Sequence, residues 1–417
     1  MESSYLNSLL NKDLLSLLLI PPIRLADGAA KNEIPSMDDS WYNSLKKIDY
    51  NSTQNAIINS WWDFGHWFKM IGNRAVTFDG TSQNSPQAHW IGNTLLTKDE
   101  NIAIGILRML DCGKNDFAHY VINNISKYDG AKNIEILYEI IVLDRINAKK
   151  KLIQYGFTGE DADKLLEFTH CEPPEDYFIT SEDMVGKSGV WAHFGSWDFN
   201  KALIYNTLKK KEYSSNLEKS VEFMQNRFNY TREKAEGIYY EVQSIADSKE
   251  ADSWIAPWPS YASNVNPCKK DNNDSISCPL SDTQIKINLT TMEANIDTTQ
   301  GIMHPNSLVY PTEESIVEKK FDNGVGVSIV LIPTDDGYSR LLASPELAAS
   351  MFTRLFYMEG HGLKHFEKFS DETGIFGERI IIWKVDWEGN QENMLDVFKP
   401  EPIIKEEIIS NETNENT

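Results

Sequence analysis

Up to about residue 262 the apolar positions fall mostly at helical spacing, and beyond it they gather into short runs rich in β-branched residues. Residues 56–60 and 75–78 read as strands bracketing a helix over 64–71. Residues 83–96 and 101–110 read as amphipathic helices, the second keeping Ile104, Leu107 and Leu110 on one face. A longer helical tract follows, with Ile134, Leu137, Tyr138, Ile141 and Val142 at i, i+3, i+4, i+7 and i+8, and Thr158 with Asp161 opens the next helix as a capping pair. Residues 177–180 read as a strand ending at Ser181, which is expected to cap a helix carrying Met184, Lys187 and Trp191 on one side. Another helix spans 231–247. Later, IKINLT, GVGVSIVLIP and RIIIWKVDW are strand-like, interrupted by one helix over 345–359 with Ser344 as N-cap.

The pattern predicts an α+β fold, with a mainly helical central core domain over 21–262 followed by a β-rich C-terminal part over 263–399. Residues 14–20 are apolar but end at Pro21-Pro22, too short for the roughly 20 residues a spanning helix needs. They are preceded by a poor signal-peptide n-region and read as the remnant of a longer hydrophobic segment (1–20) or a short buried one, so the chain is expected to begin inside a larger gene product. Residues 400–417, with acidic side chains dominating from Glu401 onward, are expected to form a disordered tail.

Composition narrows the partners. The chain of 417 residues carries 40 Lys+Arg against 62 Asp+Glu, a formal charge of −22, with no basic stripe to offset it. Such a surface repels phosphate backbones, so no nucleic-acid partner is expected, and anionic lipid surfaces are disfavoured. Sequons at Asn51, Asn124, Asn229, Asn273, Asn288 and Asn411, with an even number of cysteines, lean towards an extracytoplasmic domain. Cys268 and Cys278 flank a polar loop and are expected to bridge, as are Cys112 and Cys171; free thiols, or zinc ligation with His170, are the alternatives.

The most improbable local feature is Trp61-Trp62-Asp63-Phe64-Gly65, expected by chance on the order of once in a thousand such chains. Two indole N–H groups and a carboxylate at a strand-to-helix turn form a donor and acceptor cluster walled by aromatic surface. A small hydroxyl suits it: Ser or Thr could donate to Asp63 while accepting from an indole, and a ligand lacking the hydroxyl would leave those groups unpaired. The competing reading makes the tryptophans core and Asp63 an N-cap. His361 and His365 have i, i+4 spacing but lack the base of H-E-x-x-H, because Gly362 follows His361. His89, Trp90, His193 and Trp197 could line a sugar groove or simply pack, and Asp335-Asp336 reads as a surface turn. No phosphate loop, G-x-S-x-G elbow or dinucleotide fingerprint is present.

WWDFG resembles the WWD-aromatic-G motif of the catalytic subunit of oligosaccharyltransferase, which transfers glycan from a lipid-linked donor to the Asn of Asn-x-Ser/Thr. The surrounding DDSWYNSL, INSWWDFGHWF, SEDMVGKSGVWAHFGSWDF and LFYMEGHGLKHF look like the archaeal branch, over about residues 21–387. The resemblance implies that Trp61, Trp62 and Asp63 bind the hydroxyl of the +2 Ser/Thr. The family's second element is D-x-x-K-x-x-x-M/I or M-x-x-I-x-x-x-I/V/W. Here Asp183 to Lys187 is one residue too long for the first, and Met184, Lys187 and Trp191 fit the second with Lys in place of Ile, which implies Met184 and Lys187 on the same pocket. The family also uses Mn2+ or Mg2+ held by loops between membrane helices that this chain does not contain. The expectation is therefore an extracytoplasmic sequon-recognition domain at the cell membrane, a glycosyltransferase by family but inactive alone. Its partners would be an acceptor polypeptide and, through the membrane part, a lipid-linked oligosaccharide. The alternatives are a stand-alone carbohydrate-binding or scaffold module of the cell surface, and a hydrolase of unrelated mechanism.

Overall fold

The computed structural model describes residues 37–399 except 84, 114–116, 263, 273, 282, 299–300 and 376. The hydrophobic segment of 14–20, the acidic tail and the sequons at Asn273 and Asn411 lie outside the described residues. Among those described, no helix is long and apolar enough to cross a membrane.

The fold is α+β, with helices dominating the N-terminal part and sheets the C-terminal part. A mixed sheet sits at the centre, ordered Phe366–Thr373, Arg379–Val385, Asp176–Ser181, Ile57–Asn59, Ala75–Val76. The first two pairings are antiparallel and the last two parallel. Its middle strands are buried on both faces through their apolar centres, Tyr177 to Ile179 and Ile380 to Trp383. The sheet crosses the sequence boundary at 262/263, because Arg379–Val385 returns to pair with Asp176–Ser181.

Helices cover both faces of this sheet: Trp41, Leu45 and Ile48 of Asp39–Asn51 and Phe68 of Gly65–Met70 pack on one, against Tyr177, Ile179, Ile380 and Ile382, and a larger set of helices packs on the other. Gln87–Leu96, Glu100–Cys112, Gly130–Ile141 and Ser188–Gly195 pour Leu95, Ile106, Leu107, Ile136, Leu137 and Trp191 into one core. Most helix starts carry a carboxylate or hydroxyl cap: Asp99, Asp129, Asp144 and Thr158 accept from the first-turn N–H groups. Gln87–Leu96 and Ser188–Gly195 touch backbone to backbone, since a Cβ on Gly92 would lie 2.3 Å from the Trp191 carbonyl oxygen. A separate small core, with Leu208, Val221 and Met224, holds the helices between Phe199 and Ile255. Two further five-stranded sheets share a core of Ile276, Ile285, Ile287, Leu308, Ile329 and Leu331.

Cys112 is joined to Cys171, with Cα atoms 5.6 Å apart, and Cys268 to Cys278 at 4.2 Å. Residues 268–278 are a hairpin rather than a loop: Lys269–Asn272 pairs antiparallel with Ser275–Leu280, whose alternate residues Ile276 and Cys278 turn inward. The helix expected from residue 83 starts at Gln87. That expected over 345–359 shrinks to Met351–Phe356 and is capped by Ser350, because Ser344 instead exchanges hydrogen bonds with the Ser260 backbone.

Candidate functional site

The WWDFG segment follows the Ile57–Asn59 strand and turns through a single 3-10 turn, Trp62–Phe64, into the helix Gly65–Met70. Glycine at 65 is a packing requirement, since a Cβ there would sit 2.5 Å from Asp79 Cβ and 2.7 Å from its Cα. Trp61 points inward, 3% exposed, edge-on to Phe78 with ring centroids 5.3 Å apart and beside Phe194 at 6.2 Å. Trp62 is half-buried against the same core. Among the described residues neither indole N–H is taken by a protein acceptor, and neither is sealed from solvent.

Asp63 does not cap the helix, which has no side-chain cap. Instead its Oδ1 meets Lys187 Nζ at 3.0 Å, while its Oδ2 is buried without a hydrogen-bond partner. Lys187 also holds Asp183 Oδ2 at 2.9 Å and lies over the Phe64 ring, 5.1 Å from its centroid. Burial alone would lower the Lys187 pKa, but hydrogen bonds to Asp183 and Asp63 reverse this and raise it, so the ammonium stays charged. Lys187 fixes one oxygen of Asp63 and leaves the other as an unfilled acceptor.

The helix expected to carry Met184, Lys187 and Trp191 on one face is two helices, Asp183–Gly186 and Ser188–Gly195, broken at Lys187. Gly186 and Gly189 flank the break, and at it the Trp191 indole N–H donates to the Met184 carbonyl at 2.8 Å. Ser181 does not cap the helix backbone, since Glu182 occupies the cap position; its hydroxyl donates to the Asp183 carboxylate. The break separates the three side chains. Met184 (2% exposed) and Trp191 go into the core, and only Lys187 turns to Asp63. Met184 approaches the segment through its sulfur alone, 4.0 Å from Ser60 Oγ. Asp183 was missed as a site residue; its i, i+4 spacing to Lys187 was the available signal.

A cleft of about 440 Å³ adjoins this pair, lined by Phe64 and Asp183 together with Trp41, Ser181 and Arg379. On the far side of Trp61, reached through Phe194, lies an apolar cavity of about 360 Å³ lined by His89, Trp90 and Trp197. His89 is neutral there: burial lowers its pKa to about 4, and both ring nitrogens are engaged, by the Phe194 carbonyl at 2.9 Å and the Tyr138 hydroxyl at 2.7 Å. His193 lies apart, stacked on Trp258. The His361–His365 pair is not helical, because Glu359, Gly360 and Gly362 all have positive φ. Backbone groups take both nitrogens of His361. Asp335 and Asp336 form the turn of the Ser328–Thr334 and Gly337–Ala343 hairpin. Among the described residues no three His, Cys, Asp or Glu side chains gather as a metal-ligand set.

No family model matches the chain. Over 192 residues, 45% of this chain and 21% of the relative, it is 37% identical to the dolichyl-phosphooligosaccharide-protein glycotransferase of Methanococcus voltae. Over 187 residues, 44% of this chain and 20% of the relative, it is 38% identical to the protein of the same name from Methanocaldococcus jannaschii. Among solved structures, the C-terminal domain of C. jejuni pglb aligns with 83% of this chain and 99% of that chain, at 10% identity and a TM-score of 0.38. The chain thus has homologues named as archaeal oligosaccharide-transferring enzymes, and it spans about a fifth of the length of these curated relatives.

Proposed function

We propose that this chain is the acceptor-recognition domain of an oligosaccharyltransferase and that it reads the Ser/Thr hydroxyl two residues after the acceptor asparagine. The observation that carries this is Asp63, whose Oδ1 is fixed by Lys187 while its buried Oδ2 has no donor. An unfilled charged acceptor is costly, and a hydroxyl donor relieves that cost. Half-buried Trp62 is next to Asp63 in sequence, and its uncommitted indole N–H can donate back to the hydroxyl oxygen. Trp61 contributes rigidity through Phe78 and Phe194. The adjoining cleft beside Phe64 and Asp183 offers room for the flanking peptide.

The names of the relatives supply the reaction class: transfer of a dolichyl-phosphate-linked oligosaccharide to protein. The described residues contain no group of three His, Cys, Asp or Glu side chains for the Mn2+ or Mg2+ that the resemblance implies, and the membrane part would hold that ion. That part would also carry the lipid-linked donor and place this domain on the extracytoplasmic face of the cell membrane. Of the residues first assigned to the pocket, Trp61, Trp62, Asp63 and Lys187 remain, joined by Asp183, and Met184 serves only as packing beneath it.

Titrating the chain with Asn-x-Thr and Asn-x-Val peptides while following tryptophan indole resonances tests the reading. The expected result is saturable shifts at Trp62 with the Thr peptide and weaker or absent shifts with Val. Equal responses would refute hydroxyl recognition, and binding to free glycan without regard to peptide would favour a carbohydrate-binding module.

A further inference from the structure

Two buried carboxylates joined through Asn59 to the Ile57–Asn59 strand have no role in the Asp63 site. Asp111 is near the end of the helix Glu100–Cys112, beside the Cys112–Cys171 bridge, and Asp176 opens the strand Asp176–Ser181. They are 5% and 0% exposed. Asn59 joins them: its Nδ2 donates to Asp111 Oδ1 at 2.8 Å and to Asp176 Oδ1 at 3.0 Å, and its Oδ1 accepts from the Thr77 hydroxyl. Both amide protons are then spent. Asp111 Oδ2 and Asp176 Oδ2 remain buried with no hydrogen-bond partner.

A second residue makes the same demand independently. Gln87, at the first position of the helix Gln87–Leu96 and 3% exposed, also has its side-chain oxygen buried and without a donor. Gln87 and Asp111 line one cleft of about 330 Å³, with Thr77 and Asp79 on its walls. Lys69 reaches the cleft too, but it is paired with Asp79, whose carboxylate also accepts from the Thr81 hydroxyl. Among the described residues no Lys or Arg forms an ion pair with Asp111 or Asp176. Three buried oxygen acceptors from three separate elements, two of them on residues lining this cleft, thus have neither a hydrogen-bond donor nor an ion-paired cation among the described residues.

We infer that this cleft binds a hard divalent cation of the Ca2+ class through Asp111 and Gln87, with Asp176 behind them. Such an ion takes about 6–8 oxygen ligands, carboxylate and amide oxygens among them, and waters complete the shell. It supplies the two unpartnered acceptors on the cleft wall, those of Asp111 and Gln87, with a partner. Softer metals are a poorer fit, because the acceptors are all oxygens and Cys112 and Cys171 are tied to each other. With only two carboxylates, the affinity falls in the weak range of extracellular modules, about 10⁻⁴–10⁻³ M. Asn59 lies two residues before Trp61, and the strand begun by Asp176 leads to Asp183. A bound cation therefore braces the two segments that bring Asp63 and Lys187 together. The inference does not depend on sequon recognition.

The test is calorimetric titration of CaCl2 into the EDTA-stripped, dialysed chain, with thermal unfolding followed at the same Ca2+ concentrations. Saturable binding and a rise in Tm are expected. Gln87→Met keeps the volume but removes the oxygen, and Asp111→Asn removes a charge; each is expected to weaken binding by about tenfold or more. Gln87→Met keeps the test decisive if Asp111→Asn does not fold. No binding up to about 10 mM, or binding unchanged in the folded variants, as diffuse attraction to an acidic chain would give, overturns the inference.

Discussion

Asp63→Ala, combined with replacement of the acceptor threonine by valine, probes the hydroxyl contact most directly. If the threonine hydroxyl donates to Asp63 Oδ2, a hydrogen bond to a charged group worth about 1.5–3 kcal/mol is at stake, or roughly 10- to 150-fold in kcat/KM. The change leaves the surroundings in place, because Lys187 keeps Asp183 at 2.9 Å and Asp63 caps no helix. The Asp63–Lys187 pair is partly solvent-screened, so its loss costs about 1 kcal/mol of stability or less. The assay is glycopeptide formation by the chain joined to its membrane part, measured for both peptides with both proteins. The expected result is strong preference for threonine in the native protein and loss of most of it in Asp63→Ala, a coupling of roughly 1.5–3 kcal/mol. If Asp63→Ala lowers the rates for both peptides equally, Asp63 acts on something other than the hydroxyl and the reading fails.

Four further outcomes are expected. The purified chain alone, given peptide, Mn2+ and lipid-linked donor, forms no glycopeptide by mass spectrometry; turnover above background would place the reaction centre within it. Gly92→Ala drives a Cβ to 2.3 Å from the Trp191 carbonyl oxygen and lowers the unfolding free energy in urea by about 1–3 kcal/mol, whereas Gly237→Ala, in open space within the helix Arg232–Ser244, raises it by up to about 1 kcal/mol. Joint replacement of Cys112 and Cys171 by serine removes a link across 59 residues and costs roughly 4 kcal/mol in urea unfolding. Burial raises the Asp176 carboxyl from 3.8 to about 7, so the folded chain holds a proton that the unfolded chain releases. In EDTA this stabilisation is present below about pH 4 and lost as pH rises through 7, and a pH–stability profile no flatter in Asp176→Asn contradicts it.

What was legible in the sequence was local. Helix caps such as Thr158 rest on contacts within four residues, and the strand at Asp176–Ser181 shows its burial in the consecutive apolar residues Tyr177, Phe178 and Ile179. The return of Arg379–Val385 to that strand could not be read, because the pairing spans about two hundred residues and its alternation is that of any buried strand. The helix near Lys187 failed for a different reason. Helical spacing placed Met184, Lys187 and Trp191 on one face, and each step of the pattern agreed, but Gly186 and Gly189 weaken the helix there and the Trp191 indole takes the Met184 carbonyl. The break turns an apolar stripe into two buried anchors with a charged group between them. A continuous helix would carry Lys187 at a fixed angle to Met184, whereas the broken one holds Met184 and Trp191 in the core and lets Lys187 span Asp183 and Asp63. The departure from helical regularity is what completes the Asp63 site.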